Sequence, residues 1–266
     1  MQKVTHSEYI AQKKPLAKQL LAKLNEKYQY ASVLITDNYE KGYRASRSGV
    51  AISATNAFGG KGMIVKVYDG KGYAEYSTNE ITAENLPEIE REIEQQLMNP
   101  ANFIPEGTEE AEYKCISDEP CTLCEATNYE IHPREVGDEK LIETVTALRE
   151  KAVKADERIL DAITGFNYQE YHKLFLSANR ELEQSVLYST GIMTLVAAKG
   201  EEIKQSFRGF SNLGGAELLD KMESAIPQCV KTVTDLLNAE PMEPGTYECV
   251  CTPEVTGMIV HEAFGH

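Results

Sequence analysis

The hexamer His261-Glu262-Ala263-Phe264-Gly265-His266 holds two imidazoles and a carboxylate. These are the parts of a zinc hydrolase. The imidazole nitrogens bind the metal, and a glutamate beside the first of them takes a proton from the attacking water and passes it to the leaving amine. The familiar spacing is H-E-x-x-H, with the histidines four apart on one helical face. Here they are five apart, which sets them about 140° from each other around an ideal helix. Two ligands of one metal do not tolerate that separation. A π-bulge would return them to one side, and Gly265 would ease the backbone just ahead of His266. The motif therefore predicts a distorted helix inside 261–266. The plain alternative is a chance motif on a terminal helix.

Other candidates carry less. Cys121-Thr122-Leu123-Cys124 is a CxxC pair, with Cys115 and His132 near it in sequence. A structural zinc site needs two ligand pairs at good spacing, and here one pair is clean, so plain thiols are the expected reading. Cys249 and Cys251 lie two apart in a strand-like run, where they would face the same way and pack in a core. His172 falls in a strand-like run and reads as structural. Gly59-Gly60-Lys61-Gly62 and Asp69-Gly70-Lys71-Gly72 lack the spacing of a phosphate loop and read as turns.

The elements that must position these groups follow from pattern. Residues 8–27 place Ile10, Leu16, Leu20, Leu21 and Leu24 on one helical stripe, with a start expected near Pro15. Strands are expected at 30–38 and 47–56, and a hairpin at 61–79. A second helix is expected at about 83–98, with Thr82 as its N-cap. Residues 99–139 are acidic and proline-bearing and read as a long connection. A helix over about 138–156 precedes three or four alternating strands, as in an antiparallel meander. Gly214-Gly215 opens a helical stretch expected to split near Pro227. Residues 239–245 then read as a linker, 246–252 as a short strand, and 253–266 as a helix with Thr252 at its N-cap and Pro253 at its first position. The sum is an α+β domain over 1–236, an antiparallel or mixed sheet covered on one side by helices. After it, 237–266 read as the first strand and helix of a truncated second domain.

Composition excludes several functions. The 266 residues carry a formal net charge of −15, the wrong sign for displacing counterions from nucleic acid. No run approaches the roughly 20 apolar residues that span a bilayer, and the N-terminus has no secretory h-region, so the expected compartment is the cytoplasm. Six cysteines are sparse for this length and do not suggest a disulfide framework.

The stretch EPGTYECVCTPEVTGMIVHEAFGH (243–266) resembles the zinc-motif region of the TldD/PmbA metallopeptidases. Those proteins place a Pro-Gly before a strand, a proline after it, and then an apolar helix carrying H-E-x-x-x-H. SANREL (177–182) and RGFSN (208–212) are also similar to the family, as is the opening order of helix, strands and helix. The resemblance implies zinc bound by His261 and His266, with Glu262 as general base. It further implies a third protein ligand, a downstream cysteine that this chain lacks, and hence an inactive amino-terminal fragment of a longer protein. The implied partners are unfolded peptides, entering as extended strands, and a related or identical subunit in a dimer. Two other readings stand beside it: a non-catalytic partner subunit of such a protease, and an unrelated α+β binding module.

Overall fold

The computed structural model describes residues 1–54, 60–98 and 113–266. The chain runs β1 (Gln2–Lys3), α1 (Glu8–Lys27), β2 (Tyr30–Ser46), β3 (Gly49–Ala54), β4 (Lys61–Tyr68), β5 (Tyr73–Thr78), α2 (Leu86–Met98), β6 (Cys121–Ala126), β7 (Asn128–Tyr129), α3 (Pro133–Val136), α4 (Asp138–Lys154), β8 (Ile159–Ser177), β9 (Arg180–Lys199), β10 (Glu202–Leu213), α5 (Leu218–Leu236) and α6 (Pro253–Val260), which continues into a π-turn over His261–Gly265. The main sheet has the order β10-β9-β8-β2-β4-β5; β3 hangs on β2, and β6 adds to β9 in parallel. The remaining pairs of that sheet are antiparallel. β1 and β7 form a separate two-stranded ribbon.

Strand periodicity explains where the helices sit. Residues two apart on a strand face the same way. On β2, Ala31, Val33 and Ile35 enter a core with α1 and α2, while Tyr43 and Ala45 enter a core with α4 and α5. All five are odd-numbered, so both cores lie on one face of one sheet. β8 repeats the pattern with even residues: Leu174 and Leu176 join the first core, Ala162, Phe166 and Tyr168 the second. The expected α+β class, with helices on one side of a sheet, is the observed one. Fully burying a Leu, Ile or Phe side chain is worth roughly 1.5–3 kcal/mol, so these two clusters carry the domain. Buried Thr164 adds a polar tie between sheet and helix, its hydroxyl donating to the Val145 carbonyl of α4 at 2.6 Å.

Several boundaries differ from the sequence expectation. β2 and β8 are each one long strand where shorter pieces were expected. Their mutual register, from Ser32↔Ser177 to Ala45↔Thr164, holds residues that show no local alternation. α1 starts at Glu8, capped by the Ser7 side chain accepting from the Ile10 N–H, and Pro15 lies inside it. α2 starts at Leu86, because Thr82 and Asn85 first close a turn through reciprocal bonds of 3.0 and 3.3 Å. α5 does not split at Pro227. An interior proline costs about 3 kcal/mol, and the buried Met222, Ile226, Cys229, Val230 and Val233 outweigh it. The acidic connection begins outside the described residues, at 99–112, but its later part forms β6, β7 and α3. The 246–252 segment forms no strand. A strand needs a ladder partner for its backbone groups, and no described strand pairs with it. The hairpin at 61–79 is present, its turn held by Asp69 accepting from the Lys71 and Gly72 N–H groups at 2.8 and 2.9 Å. No helix among the described residues is long and apolar enough to cross a membrane.

Buried Glu170 on β8 is the main ionic knot. Arg134 Nε stands 2.9 Å from Oε1, His132 Nε2 3.5 Å from Oε1, and His172 Nε2 3.7 Å from Oε2. Burial pushes its pKa up, but nearby His172, Arg134 and His132 outweigh burial and hold it below the usual carboxylate value. A depressed folded-state pKa gives stability that is complete above the unfolded value, about 4.3, and lost as pH falls through the folded one. Glu170→Gln is therefore expected to cost about 1–3 kcal/mol near neutral pH. That cost should shrink toward zero as pH drops below about 4. Urea denaturation of both proteins across pH checks it; a constant difference at every pH would contradict the ionic account.

Candidate functional site

The terminal motif is built from the helix upward. Thr252 is extended, and Pro253 takes the first helical position, as the sequence predicts. The hydroxyl of Thr252 makes no capping bond to the backbone; the first turn closes through the Thr256 N–H donating to the Thr252 carbonyl at 2.9 Å. Eight residues of α-helix then widen into the π-turn, closed by the His266 N–H donating to the His261 carbonyl at 3.2 Å. That is the i→i−5 bond that defines the wider turn. It puts residues five apart above one another, and the imidazoles of His261 and His266 meet with their Nε2 atoms 3.0 Å apart. The rings cross at 83° with centroids 4.6 Å apart. The helix distortion demanded by the spacing is thus present.

Two imidazoles on one tetrahedral zinc, with Zn–N near 2.05 Å, would hold their nitrogens about 3.3 Å apart. The observed separation fits two corners of such a shell. The donor set ends there: no group of three or more His, Cys, Asp or Glu among the described residues could hold a metal. Glu262 sits beside His261 and is exposed, like every residue from 238 to 266. Val255, Met258, Ile259, Val260 and Phe264 are all open to solvent.

The cysteines separate into different situations. All six are free thiols, with Cys229 buried and the others exposed. Cys249 and Cys251 do not pack in a core, since their segment is neither a strand nor buried. Cys121 and Cys124 both lie on β6. Three residues apart on a strand, they face opposite sides of the sheet and cannot share a metal. His132 is not near them in function: it caps α3, its Nδ1 accepting from the Arg134 N–H at 3.2 Å, and faces Glu170. What does approach Cys124 is His6, at 3.5 Å, from near the N-terminus. No spacing rule links residues 118 apart, so sequence reasoning had no signal for that pair.

Comparison with known proteins supports the fold. No family model matches the chain. A protein named metalloprotease from Archaeoglobus fulgidus is 31% identical over 90 residues, 34% of this chain and 21% of that one. A Bacteroides thetaiotaomicron protein solved as a candidate modulator of DNA gyrase superposes with a TM-score of 0.69 at 16% identity, covering 95% of this chain and 56% of its own. The crystal structure of TldE from Thermococcus kodakarensis superposes with a TM-score of 0.58 at 13% identity, over 82% of this chain and 47% of that one. The chain thus spans about half the length of these solved structures.

Two convergent imidazoles give a definite expectation for metal. Zinc titrated into the 266-residue chain should bind weakly, because catalytic zinc sites use three protein ligands. His261→Ala should abolish what binding there is, and calorimetry measures both. Tight stoichiometric binding that survives His261→Ala would place the metal elsewhere.

Proposed function

We propose that this chain, which has the fold of TldE and so of the TldD/PmbA family, is the amino-terminal part of a zinc-dependent endopeptidase subunit. The observation that carries the reading is the π-turn that sets His261 and His266 Nε2 atoms 3.0 Å apart. A wide turn is uncommon in helices and often marks function, and here it undoes the 140° separation that the spacing of five would otherwise impose. The relative named metalloprotease supports the same class. Two residues, His261 and His266, would hold the ion, with a third ligand supplied from outside the described residues; the family resemblance points to a downstream cysteine.

A zinc ion there would act as a Lewis acid toward water and the scissile carbonyl. The Glu262 carboxylate, adjacent to a ligand without being one, takes the proton of the attacking water and delivers it to the leaving amine. Substrates on this reading are unfolded peptides, bound as extended strands through backbone pairing with little sequence selectivity. The subunit works as a homodimer or with a related subunit, in the cytoplasm, without nucleic acid or membrane.

The test uses the protein that carries the remaining ligand. Glu262→Gln is expected to lower hydrolysis of an unstructured peptide by about 10²–10⁴-fold while zinc content by elemental analysis stays at the parental level. His261→Ala should lose both zinc and activity. A Glu262→Gln protein with near-parental turnover would remove Glu262 from the mechanism.

A further inference from the structure

A second cluster of titratable and nucleophilic groups lies on the helix-bearing side of the sheet, apart from the terminal motif. Cys124 of β6 pairs in register with Glu183 of β9, and Ser185 follows two residues along the same face. His6, in the segment between β1 and α1, reaches over both: Nε2 lies 3.5 Å from Cys124 Sγ, and Nδ1 lies 3.0 Å from Ser185 Oγ and 3.6 Å from Glu183 Oε1. The other oxygen of Glu183 is held by Lys14 at 2.9 Å. Ser185 is buried, and its Oγ also lies 3.0 Å from Nδ1 of buried His172, whose Nε2 faces Glu170.

The chemistry of each group orders the protons along this chain. A carboxylate only accepts, so Glu170, 3.7 Å away, favours the tautomer of His172 that carries the hydrogen on Nε2. In the neutral ring, Nδ1 of His172 is then an acceptor, and the single Ser185 hydroxyl hydrogen points to it. The Ser185 oxygen is left to accept from Nδ1–H of His6, a direction that Glu183 beside the same nitrogen reinforces. The Nε2 of His6 is therefore a bare lone pair, and it faces the Cys124 thiol. Nucleophile, base and orienting group stand in the order that activated thiols require.

We propose that Cys124 is a reactive thiol, with His6 as its base, that takes low-molecular-weight disulfides. In the step, Cys124 sulfur bonds to one sulfur of the disulfide as the S–S bond of the reagent breaks. His6 Nε2 receives the thiol proton and gives it to the departing thiolate. Cys124 is oxidised to a mixed disulfide, and half of the reagent leaves reduced. This inference is independent of the zinc reading, since it uses none of the same residues.

The chain contains its own controls. Cys115, Cys121, Cys249 and Cys251 are also exposed, and Cys121 shares a strand with Cys124. The native chain is treated with oxidised glutathione at pH 7, and each cysteine peptide is followed by mass spectrometry. Cys124 is expected to form the mixed disulfide at least about tenfold faster than Cys121. His6→Gln should bring it to within about twofold of Cys121. Ser185→Ala should slow it, and Ser185→Thr, which keeps the hydroxyl, should restore it. His6 is exposed, so its substitution tests the base even where a Ser185 variant fails to fold. A Cys124 no faster than Cys121, or one unchanged by His6→Gln, would overturn the proposal.

Discussion

The continuous antiparallel ladder of β2, β8 and β9 is the constraint on which everything else rests. β8 pairs with β2 from Ser32↔Ser177 to Ala45↔Thr164 and with β9 from Leu176↔Glu181 back to Ile159↔Ala197. Because side chains alternate along each strand, a slip of one residue would turn both apolar sets toward solvent at once. The long register therefore commits two separate cores to one face, with α1 and α2 over one end and α4 and α5 over the other. Buried groups such as Thr164, Glu170, His172, Ser185 and Ser189 lie on the same face, where each meets a partner: the register pairs His172 with Ser185, while Thr164, Ser189 and Glu170 meet groups packed over the sheet.

That placement gives polar groups a directional order which isolated pairs would lack. The contacts run from the buried Glu170 carboxylate to His172, and from His172 through the Ser185 hydroxyl to His6. Hydrogen bonds inside a protein act in a lower dielectric than water and polarise one another, so such a chain can set the chemistry of a group at the surface. Glu170 bears the cost of burial, and Arg134 with the two histidines offsets it.

The carboxy-terminal motif depends on a different device. Its geometry is local: one wide turn and one i→i−5 hydrogen bond bring two imidazoles together without help from the sheet. Two nitrogens are fewer than a catalytic zinc requires, and the described residues assemble no third donor. Met258 of α6 and Phe264 of the π-turn are exposed beside it.

The sequence by itself determined the α+β class, the amphipathic helices, the turn at Asp69–Gly72 and the need for a widened helix at His261–His266. Each of these is written in the spacing of neighbours, through helical or strand period, turn chemistry or the angle per residue. Tertiary structure alone decided the full length of β2 and β8, the unbroken α5 through Pro227, and the early start of α1. In each, a packing or ladder gain outweighed a local preference. It also decided against a strand at 246–252, which had the composition of one but pairs with no described strand. The cysteines show the division most plainly. Cys121 and Cys124 have the spacing of a CxxC pair and read as plain thiols, and strand alternation sets them on opposite sides of β6. Meanwhile the fold brings Cys124 on β6 to a histidine 118 residues away, in the segment between β1 and α1, a meeting that local spacing does not encode.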